Sequence, residues 1–293
     1  MQPRSACVIL ALSSIVFGAV SLSATDPSAI KTLSSGELAI LSVKGIEKVS
    51  NTNARSMIVK DFGSFQAGEF AVIPEPGGDT FLVPLQLRMR ADGLFTHMER
   101  FNSAGKSTAA WPHREAGGIL GGVAVDLVHQ IAYCSDSRLN TVYQLDLKNT
   151  RSSFVLLARI RDSGILGPVA LDAKRGRLLV ADVGNGTILS IMLDTRKVEI
   201  VLGAGTMAEP VSMVLDQAND HLYIADASRS RVWVGTPVGN KWTVKAMTVT
   251  QQFKQPISVA LTPEAALWVA DRGRQKIWLF ATADGRTLRT VNP

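Results

Sequence analysis

The chain repeats one short pattern four times: IAYCSDS (131–137), LLVADVG (178–184), LYIADAS (222–228) and LWVADRG (267–273). The aspartate of each copy falls at position 136, 182, 226 or 271, which gives steps of 46, 44 and 45 residues. An apolar run rich in small residues precedes each copy, and a polar loop follows it. The chain is therefore built from similar units that each contain several short strands.

Each unit divides into four strands, called a to d in chain order. Strand a is an apolar run such as GPVALD (167–172), and strand b is the repeated pattern. Strand c opens on paired apolar residues such as Val232 and Trp233, and strand d resembles KVEIVLG (197–203). A small sheet with two apolar faces cannot bury both alone, so neighbouring units must stack. This period of short strands predicts an all-β propeller of four-stranded antiparallel blades.

The pattern continues upstream of residue 117 in a diverged form. GEFAVIP (68–74) and TFLVPLQ (80–86) match strands a and b of one unit, and ELAILSVK belongs to another. We predict one domain of six blades, at about 27–65, 66–116, 117–162, 163–206, 207–252 and 253–293. The ring closes either with RTLRTV (286–291) as the last blade's own outer strand or with an N-terminal strand beside it.

The full unit resembles the NHL repeat. Its pattern is P-x-x-x-(V/A)-(L/V)-D, a turn, L-(Y/W)-(V/I)-A-D, a polar loop and (R/K)-(V/I)-W, best matched from Pro210 to Trp233 and from Pro256 to Trp278. Two units depart from it, with Thr141 and Thr187 at the basic position. The resemblance covers 117–293 well and 66–116 weakly. It implies a six-bladed propeller in a family that includes binding modules, RNA binders and a few enzymes.

A more distant resemblance is to the SMP-30/gluconolactonase-like lactonases, which hold a divalent metal in the central channel. Their metal ligands are a Glu of the first blade with Asn and Asp from others. This chain lacks an E-G-P-type opening strand, and its inner strands offer Val, Ala, Met and Leu in place of Asn. Under this alternative the protein is a hydrolase or lyase, and Asp126, Asp172 and Asp216 are candidate metal ligands. Otherwise each of them forms the turn after strand a.

Residues 1–24 have the features of an export signal: Arg4, an apolar run at 6–20 and small residues before position 25. They predict a periplasmic or extracellular protein without a transmembrane segment after cleavage. The alternative is a short anchor that is retained. Cys7 lies within the signal, so Cys134 is alone in the mature chain and no internal disulfide forms. Its place in strand b predicts a buried thiol.

Basic residues gather in the loops between strands b and c. With the formal charge of +6, they predict a positive face for an anionic ligand such as a carboxylated polysaccharide or an acidic protein segment. The candidate binding residues are Arg138, Arg229, Arg231, Arg272, Arg274 and Lys276. The alternative is that these are ordinary solvated charges, while the neighbouring repeat aspartates hydrogen-bond their own loops.

Other kinds of site find little support. Trp233 and Trp278 repeat in strand c, which favours a core role over base stacking, so nucleic-acid binding is not expected. No HExxH, CxxC or GxSxG motif is present, and His113 is the one histidine placed for catalysis or metal binding. We therefore predict a monomeric binding scaffold without a cofactor, whose partner is a protein or an anionic polysaccharide. The metal-dependent enzyme stays as the alternative.

Overall fold

A computed structural model describes residues 27–89, 93–115 and 117–293. The predicted signal, residues 1–24, lies outside these ranges. The described chain consists of strands and turns, with 3₁₀ turns at Ala173–Arg175 and Arg272–Arg274. None of the described helical segments is long and apolar enough to cross a membrane.

The strands form six antiparallel sheets, numbered here as blades 1 to 6 in chain order. Blade 1 contains β1 (Ala29–Thr32), β2 (Leu38–Ser42), β3 (Gly45–Val49) and β4 (Arg55–Val59). Blade 2 contains β5 (Gln66–Ala67), β6 (Ala71–Ile73), β7 (Thr80–Met89), β8 (Gly93–Phe101) and β9 (Ser107–His113). Blade 3 contains β10 (Leu120–Asp126), β11 (Ile131–Asp136), β12 (Thr141–Asp146) and β13 (Val155–Arg159).

The last three blades follow the same order. Blade 4 contains β14 (Leu166–Asp172), β15 (Arg177–Asp182), β16 (Thr187–Met192) and β17 (Val198–Leu202). Blade 5 contains β18 (Pro210–Asp216), β19 (His221–Asp226), β20 (Arg231–Val238) and β21 (Lys241–Ala246). Blade 6 contains β22 (Pro256–Leu261), β23 (Ala266–Asp271), β24 (Lys276–Ala281) and β25 (Thr287–Val291). The prediction of an all-β, six-bladed propeller with four-stranded antiparallel blades is confirmed.

Blade 2 departs from the repeat in two ways. Its innermost strand is broken into β5 and β6, which both pair with β7. Its strands β7 and β8 are ten and nine residues long, whereas β11 and β12 of blade 3 have six residues each. At about 3.3 Å per residue, three or four additional residues lengthen this hairpin by roughly 10 Å.

Apolar side chains fill every boundary between neighbouring blades. The buried residues separate into six clusters, and each cluster draws its members from two adjacent blades. The cluster between blades 6 and 1, for example, joins Trp268 and Ala260 to Ile30 and Ile40. Burying one large apolar side chain stabilises the fold by about 1.5–3 kcal/mol, so these six interfaces favour a closed ring.

The ring closes without exchange of a strand between its ends. β25 pairs with β24 inside blade 6, and β1 pairs with β2 inside blade 1. Of the two closures left open above, the last blade therefore supplies its own outer strand. Blades 6 and 1 are joined by side-chain packing and hydrogen bonds alone.

Small residues near the axis allow the inner strands to approach closely. An added Cβ on Gly122 would lie 2.6 Å from Pro168 Cα of the next blade. Serine hydroxyls then link neighbouring blades: Ser212 Oγ accepts from the Val259 amide at 3.1 Å, and Ser258 Oγ accepts from the Ile30 amide at 3.1 Å. These contacts explain why strand a combines apolar residues with Gly and Ser.

The four repeat aspartates hold the loops of one face together. Each ends strand b and is at most 3% exposed: Asp136, Asp182, Asp226 and Asp271. Asp226, for example, accepts from the Arg229 amide of its own b–c loop at 3.2 Å and from the Glu209 amide of the preceding d–a loop at 3.0 Å. The b–c and d–a loops therefore share one face, called the loop face below. The repeat aspartates accept hydrogen bonds from the backbone amides of their own b–c loops, as the alternative to an anion-binding face predicted.

Candidate ligand-binding funnel

A funnel of about 220 Å³ opens on the propeller axis at the loop face. All six blades contribute to its lining, since strand a begins there in every blade. Its apolar wall comes from Leu120, Ile165, Leu166, Val183, Val211 and Ile257. Its polar side chains are Ser28, Glu69, Gln86, Ser137, Glu209, Gln255 and Arg272. An apolar wall with a few convergent polar groups is typical of a small-ligand site.

Arg272 supplies the positive charge of the funnel. It begins the 3₁₀ turn after Asp271, whose carboxylate accepts from the Arg274 amide and so fixes the turn. The Arg272 amide donates to the Gln255 carbonyl oxygen at 3.0 Å, which orients the turn toward the axis. The Nε atom of Arg272 is buried and has no hydrogen-bond partner among the described residues. The Arg272 side chain therefore keeps an unused hydrogen-bond donor at the funnel wall.

The two carboxylates of the funnel already have partners. Glu69 Oε1 lies 3.0 Å from Lys31 Nζ. Glu209 Oε2 accepts from the Ser228 hydroxyl at 2.5 Å. Neighbouring side chains thus engage both carboxylates. Arg272, the cationic side chain of the funnel lining, has no ion pair among the described residues.

The other five candidate binding residues lie on the loop face outside the funnel lining. Arg229 Nη2 donates to the Gly205 carbonyl oxygen at 3.0 Å, and Arg274 Nε donates to that of Gln252 at 3.1 Å. The exposed Arg138 extends along Gly117, where an added Cβ would lie 3.3 Å from its Nη1. Arg229 and Arg274 thus brace d–a loops by hydrogen bonds, and Arg138 lies against another d–a loop.

Arg231 and Lys276 each open a strand c, farther from the axis. The Arg231 guanidinium lies over the Trp233 ring at 5.6 Å from its centroid, and Lys276 Nζ donates to Asn292 Oδ1 at 2.5 Å. The structure therefore does not bring the six basic residues together at one point. It places Arg272 in the funnel and distributes the others around it.

The three aspartates proposed as metal ligands do not fit a shared ion. Asp126 accepts from the amides of Val128 and His129, and Asp216 accepts from those of Ala218 and Asn219. Asp172 is fully buried, and Arg177 Nε lies 2.9 Å from its Oδ2. Asp126 and Asp216 thus hold their own turns, whereas Asp172 is paired with arginine side chains. Within 27–89, 93–115 and 117–293, no three His, Cys, Asp or Glu side chains cluster as a metal site would require.

Several funnel residues were missed by the sequence reasoning. Glu69 and Gln86 come from the diverged blade 2, and Glu209 and Gln255 come from d–a loops. These positions share no residue type between units, so the repeat pattern carries no signal for them. A weak signal exists in the acidic residue of GEFAVIP, since a charged residue in an inner strand is unusual.

No family model matches this sequence, and no curated protein matches it. Solved structures do resemble its fold. A catalytically inactive variant of virginiamycin B lyase from Staphylococcus aureus, determined with quinupristin, aligns with a TM-score of 0.63 at 12% identity and covers 89% of this chain and 83% of the lyase chain. The six-bladed propeller of this chain therefore shares its overall fold with that lyase.

Two further neighbours carry other descriptions. An auxiliary nutrient binding protein from Bacteroides thetaiotaomicron aligns with a TM-score of 0.64 at 12% identity, covering 86% of this chain and 68% of its own. A putative 6-phosphogluconolactonase from Bacteroides uniformis aligns with a TM-score of 0.61 at 12% identity, covering 91% and 85%. At such identities the likeness establishes the fold alone.

Proposed function

We propose that this chain is an exported, NHL-like binding propeller whose loop face recognises an anionic glycan, with a carboxylate of the ligand held in the axial funnel by Arg272. The observation that carries the proposal is the buried Nε of Arg272, which lines the funnel and has no hydrogen-bond partner among the described residues. A guanidinium binds a carboxylate through two parallel hydrogen bonds, and this geometry is stronger than a single neutral contact.

The lining of the funnel supports a sugar-sized ligand. Apolar walls from Val183, Val211 and Ile257 suit the carbon faces of a ring, while Gln86 and Gln255 offer amides to hydroxyl groups. A volume of about 220 Å³ accommodates one small ring or chain end, and the surrounding loops then contact the rest of the chain. Export is part of the proposal and rests on the signal-like residues 1–24.

The proposal is tested with digalacturonate as the acidic probe and digalactose as its neutral counterpart. We expect calorimetry to show binding of the acidic disaccharide that weakens with added salt. Arg272→Gln removes a charged hydrogen-bond donor, so we expect a loss of roughly tenfold to a hundredfold in affinity. Arg274→Gln is the matched control, because this arginine lies two residues away and braces Gln252. Equal losses in both variants, or equal binding of the neutral sugar, would contradict the proposal.

The alternative from the sequence, a hydrolase or lyase with a metal in the channel, has weaker support. Its candidate ligands are already engaged: Asp126 and Asp216 by the amides of their own turns, and Asp172 by an ion pair with Arg177. Lyases and a putative lactonase occur among the structural neighbours, but only the fold is shared at 12% identity. Analysis of the same digalacturonate mixtures for cleaved or unsaturated products would reveal such an activity.

A further inference from the structure

Four buried polar side chains meet where the end of β9 contacts blade 3. His113 is 5% exposed, Asp136 and Thr141 are 0% exposed, and Tyr143 is 2% exposed. The His113 ring packs edge-on against the Tyr143 ring, with centroids 4.8 Å apart, and against Phe154 at 5.1 Å. We call these four residues the His113 cluster.

The His113 cluster contains an unusual number of buried polar atoms without a protein partner. They are both ring nitrogens of His113, Oδ2 of Asp136, Oγ1 of Thr141 and the hydroxyl of Tyr143. Buried polar groups in folded proteins are normally hydrogen-bonded, so a concentration of exceptions in one place needs a functional or physical reason.

The repeat itself provides a comparison. In the three other repeat aspartates both carboxylate oxygens accept hydrogen bonds: Asp226 Oδ2 accepts from the Ala208 amide and the Trp233 indole, and Asp271 Oδ2 accepts from the Lys254 amide. Asp182 uses both oxygens with Gly164 and Asn185. The arrangement around Asp136 is therefore particular to blade 3.

In blade 3 the donors are rearranged. Asp136 Oδ1 accepts from the amides of Ile119, Arg138 and Leu139. The preceding amide, that of Gly118, donates instead to the Glu115 carbonyl oxygen at 3.2 Å. Tyr143 pairs with strand b at the same register as Trp233 in blade 5, yet its hydroxyl does not bond the aspartate. Oδ2 of Asp136 consequently faces His113 without a donor.

The groups around His113 come from three elements. Asp136 ends β11, and Tyr143 belongs to β12. Glu115 lies in the loop between β9 and β10, which also contains Gly117, the residue that Arg138 approaches. Burial lowers the pKa of His113, although the charges of Asp136 and Glu115 oppose that shift. Burial also raises the pKa of Tyr143 to about 12, so this hydroxyl stays protonated. The cluster therefore holds a neutral imidazole at neutral pH.

The imidazole and the carboxylate both pack against Gly118. An added Cβ on Gly118 would lie 2.4 Å from Asp136 Oδ2 and 2.8 Å from His113 Nδ1, so both side chains fill the space that a side chain at position 118 would need. A protonated His113 has two ways to stabilise its charge: it approaches Asp136, or it turns out to water. The cost of a buried charge without a partner favours one of these movements. Because the ring packs against Gly118, either movement shifts Gly118 as well.

Gly118 is linked directly to the funnel wall. Its carbonyl oxygen accepts from Thr96 Oγ1 at 2.7 Å, and the next residue, Ile119, bonds Asp136 and the Ser137 amide. Leu120 and Gly121 then line the funnel. We propose that His113 is an acid-sensitive latch, whose protonation displaces Gly117–Gly118 and loosens this side of the funnel. The latch stands independently of the ligand proposed above.

Hydrogen exchange detected by mass spectrometry tests the latch without any ligand. We compare a peptide containing residues 117–122 at pH 7.5 and pH 5.0, after correction for the chemical exchange rate. When opening is linked to one proton, the corrected exchange rate rises by up to about tenfold per pH unit as the pH falls from the ordinary histidine pKa of about 6.5 toward the lowered folded-state pKa, and then levels off. We expect this increase in the wild type and its absence in His113→Gln. The control variant is His129→Gln, at an exposed turn between β10 and β11.

Two results would overturn the latch: equal corrected exchange of this peptide at both pH values in the wild type, or an unchanged pH response in His113→Gln. If the glutamine variant does not fold, the wild-type imidazole resonances decide. A His113 ring that titrates at or above the ordinary value of about 6.5, with no change at Gly118, contradicts the proposal.

Discussion

The guanidinium of Arg289 lies over the indole ring of Trp268, with its carbon 5.4 Å from the ring centroid. Both residues belong to blade 6, but Arg289 also donates to Asn53 Oδ1 and to the Ser50 carbonyl oxygen of blade 1. It therefore joins the last blade to the first at the boundary that no loop crosses. Because β1 and β25 belong to separate sheets, such side-chain contacts carry the closure of the ring.

Replacing Arg289 with alanine should weaken this closure. The change removes a cation–π contact and hydrogen bonds to blade 1, so we expect the free energy of unfolding to fall by about 1–2 kcal/mol. Urea unfolding followed by tryptophan fluorescence measures it. Arg286→Ala is the control, because the Arg286 side chain is 71% exposed and lies 3.9 Å from its nearest carboxylate. Equal effects of both changes would show that Arg289 does not hold the boundary.

Gly122 tests the close approach of inner strands. In Gly122→Ala the new methyl group would meet Pro168 Cα at 2.6 Å and the Gly167 carbonyl oxygen at 2.7 Å, and both atoms are backbone. Blades 3 and 4 would have to separate, so we expect a loss of about 1–3 kcal/mol in the free energy of unfolding. Thermal unfolding monitored by circular dichroism gives the comparison.

Gly203→Ala is the matched control for Gly122. An added Cβ there would meet no atom within 4 Å. Since alanine also restricts the unfolded chain, Gly203→Ala should be neutral or slightly stabilising. If the Gly122→Ala protein were as stable as the Gly203→Ala protein, the inner strands of blades 3 and 4 would accommodate a methyl group that the structure leaves no room for.

The sequence is most informative where the chain repeats itself. Asp136, Asp182, Asp226 and Asp271 mark the end of strand b in four blades, because the same buried loop contacts require the same carboxylate each time. Blade 2 is harder to predict in detail. Its innermost strand is broken between Ala67 and Ala71, and its b–c hairpin is longer, so the regular spacing fails there.

The candidate site is only partly readable from the sequence. Arg272 belongs to a repeated basic loop, and the sequence therefore points to it. The His113 cluster has no such signal, since the position of His113 beside Gly118 and Tyr143 depends on how the end of blade 2 packs on blade 3. Stacking of blades creates neighbours that no residue spacing within one unit encodes.

A buried ion pair between Asp172 and Arg177 offers a third test. The atoms Arg177 Nε and Asp172 Oδ2 are 2.9 Å apart, and the side chains are 4% and 0% exposed. Arg177 also donates to the Asn240 carbonyl oxygen of blade 5 at 3.2 Å. Arg177→Met leaves a buried carboxylate with only the more distant Arg175, so we expect a loss of about 3–5 kcal/mol, measured by urea unfolding.

Two further variants show whether the loss comes from the unpaired buried charge. Asp172→Leu combined with Arg177→Met removes both charges and should recover part of the loss, because an apolar pair leaves no buried charge uncompensated. Lys197→Met breaks the exposed pair with Glu199 and should cause no measurable change. If Arg177→Met were as mild as Lys197→Met, the buried Asp172–Arg177 pair would not contribute measurably to the stability of the fold.

Asp216 makes the stability of the protein depend on pH under acidic conditions. Burial opposes ionisation of this carboxyl, but hydrogen bonds from the Asn219 side chain and the amides of Asn219 and Ala218 outweigh it and lower its pKa below the ordinary 3.8. A lowered folded-state pKa stabilises the fold at pH values above the ordinary one, and this contribution disappears as the pH falls through the folded-state value. The affected range lies below about pH 4.

Asp216→Asn should therefore lower the free energy of unfolding at pH 7. Between pH 5 and pH 3, the free energy of unfolding of this variant should fall less than that of the wild type. Urea midpoints at pH 7, 5, 4 and 3 measure both effects. Asp194→Asn, in the exposed turn between β16 and β17, is the matched control and should follow the wild type. A steeper acid loss in Asp216→Asn than in the wild type would reverse the sign of the predicted linkage, and would mean that burial of Asp216 outweighs its hydrogen bonds.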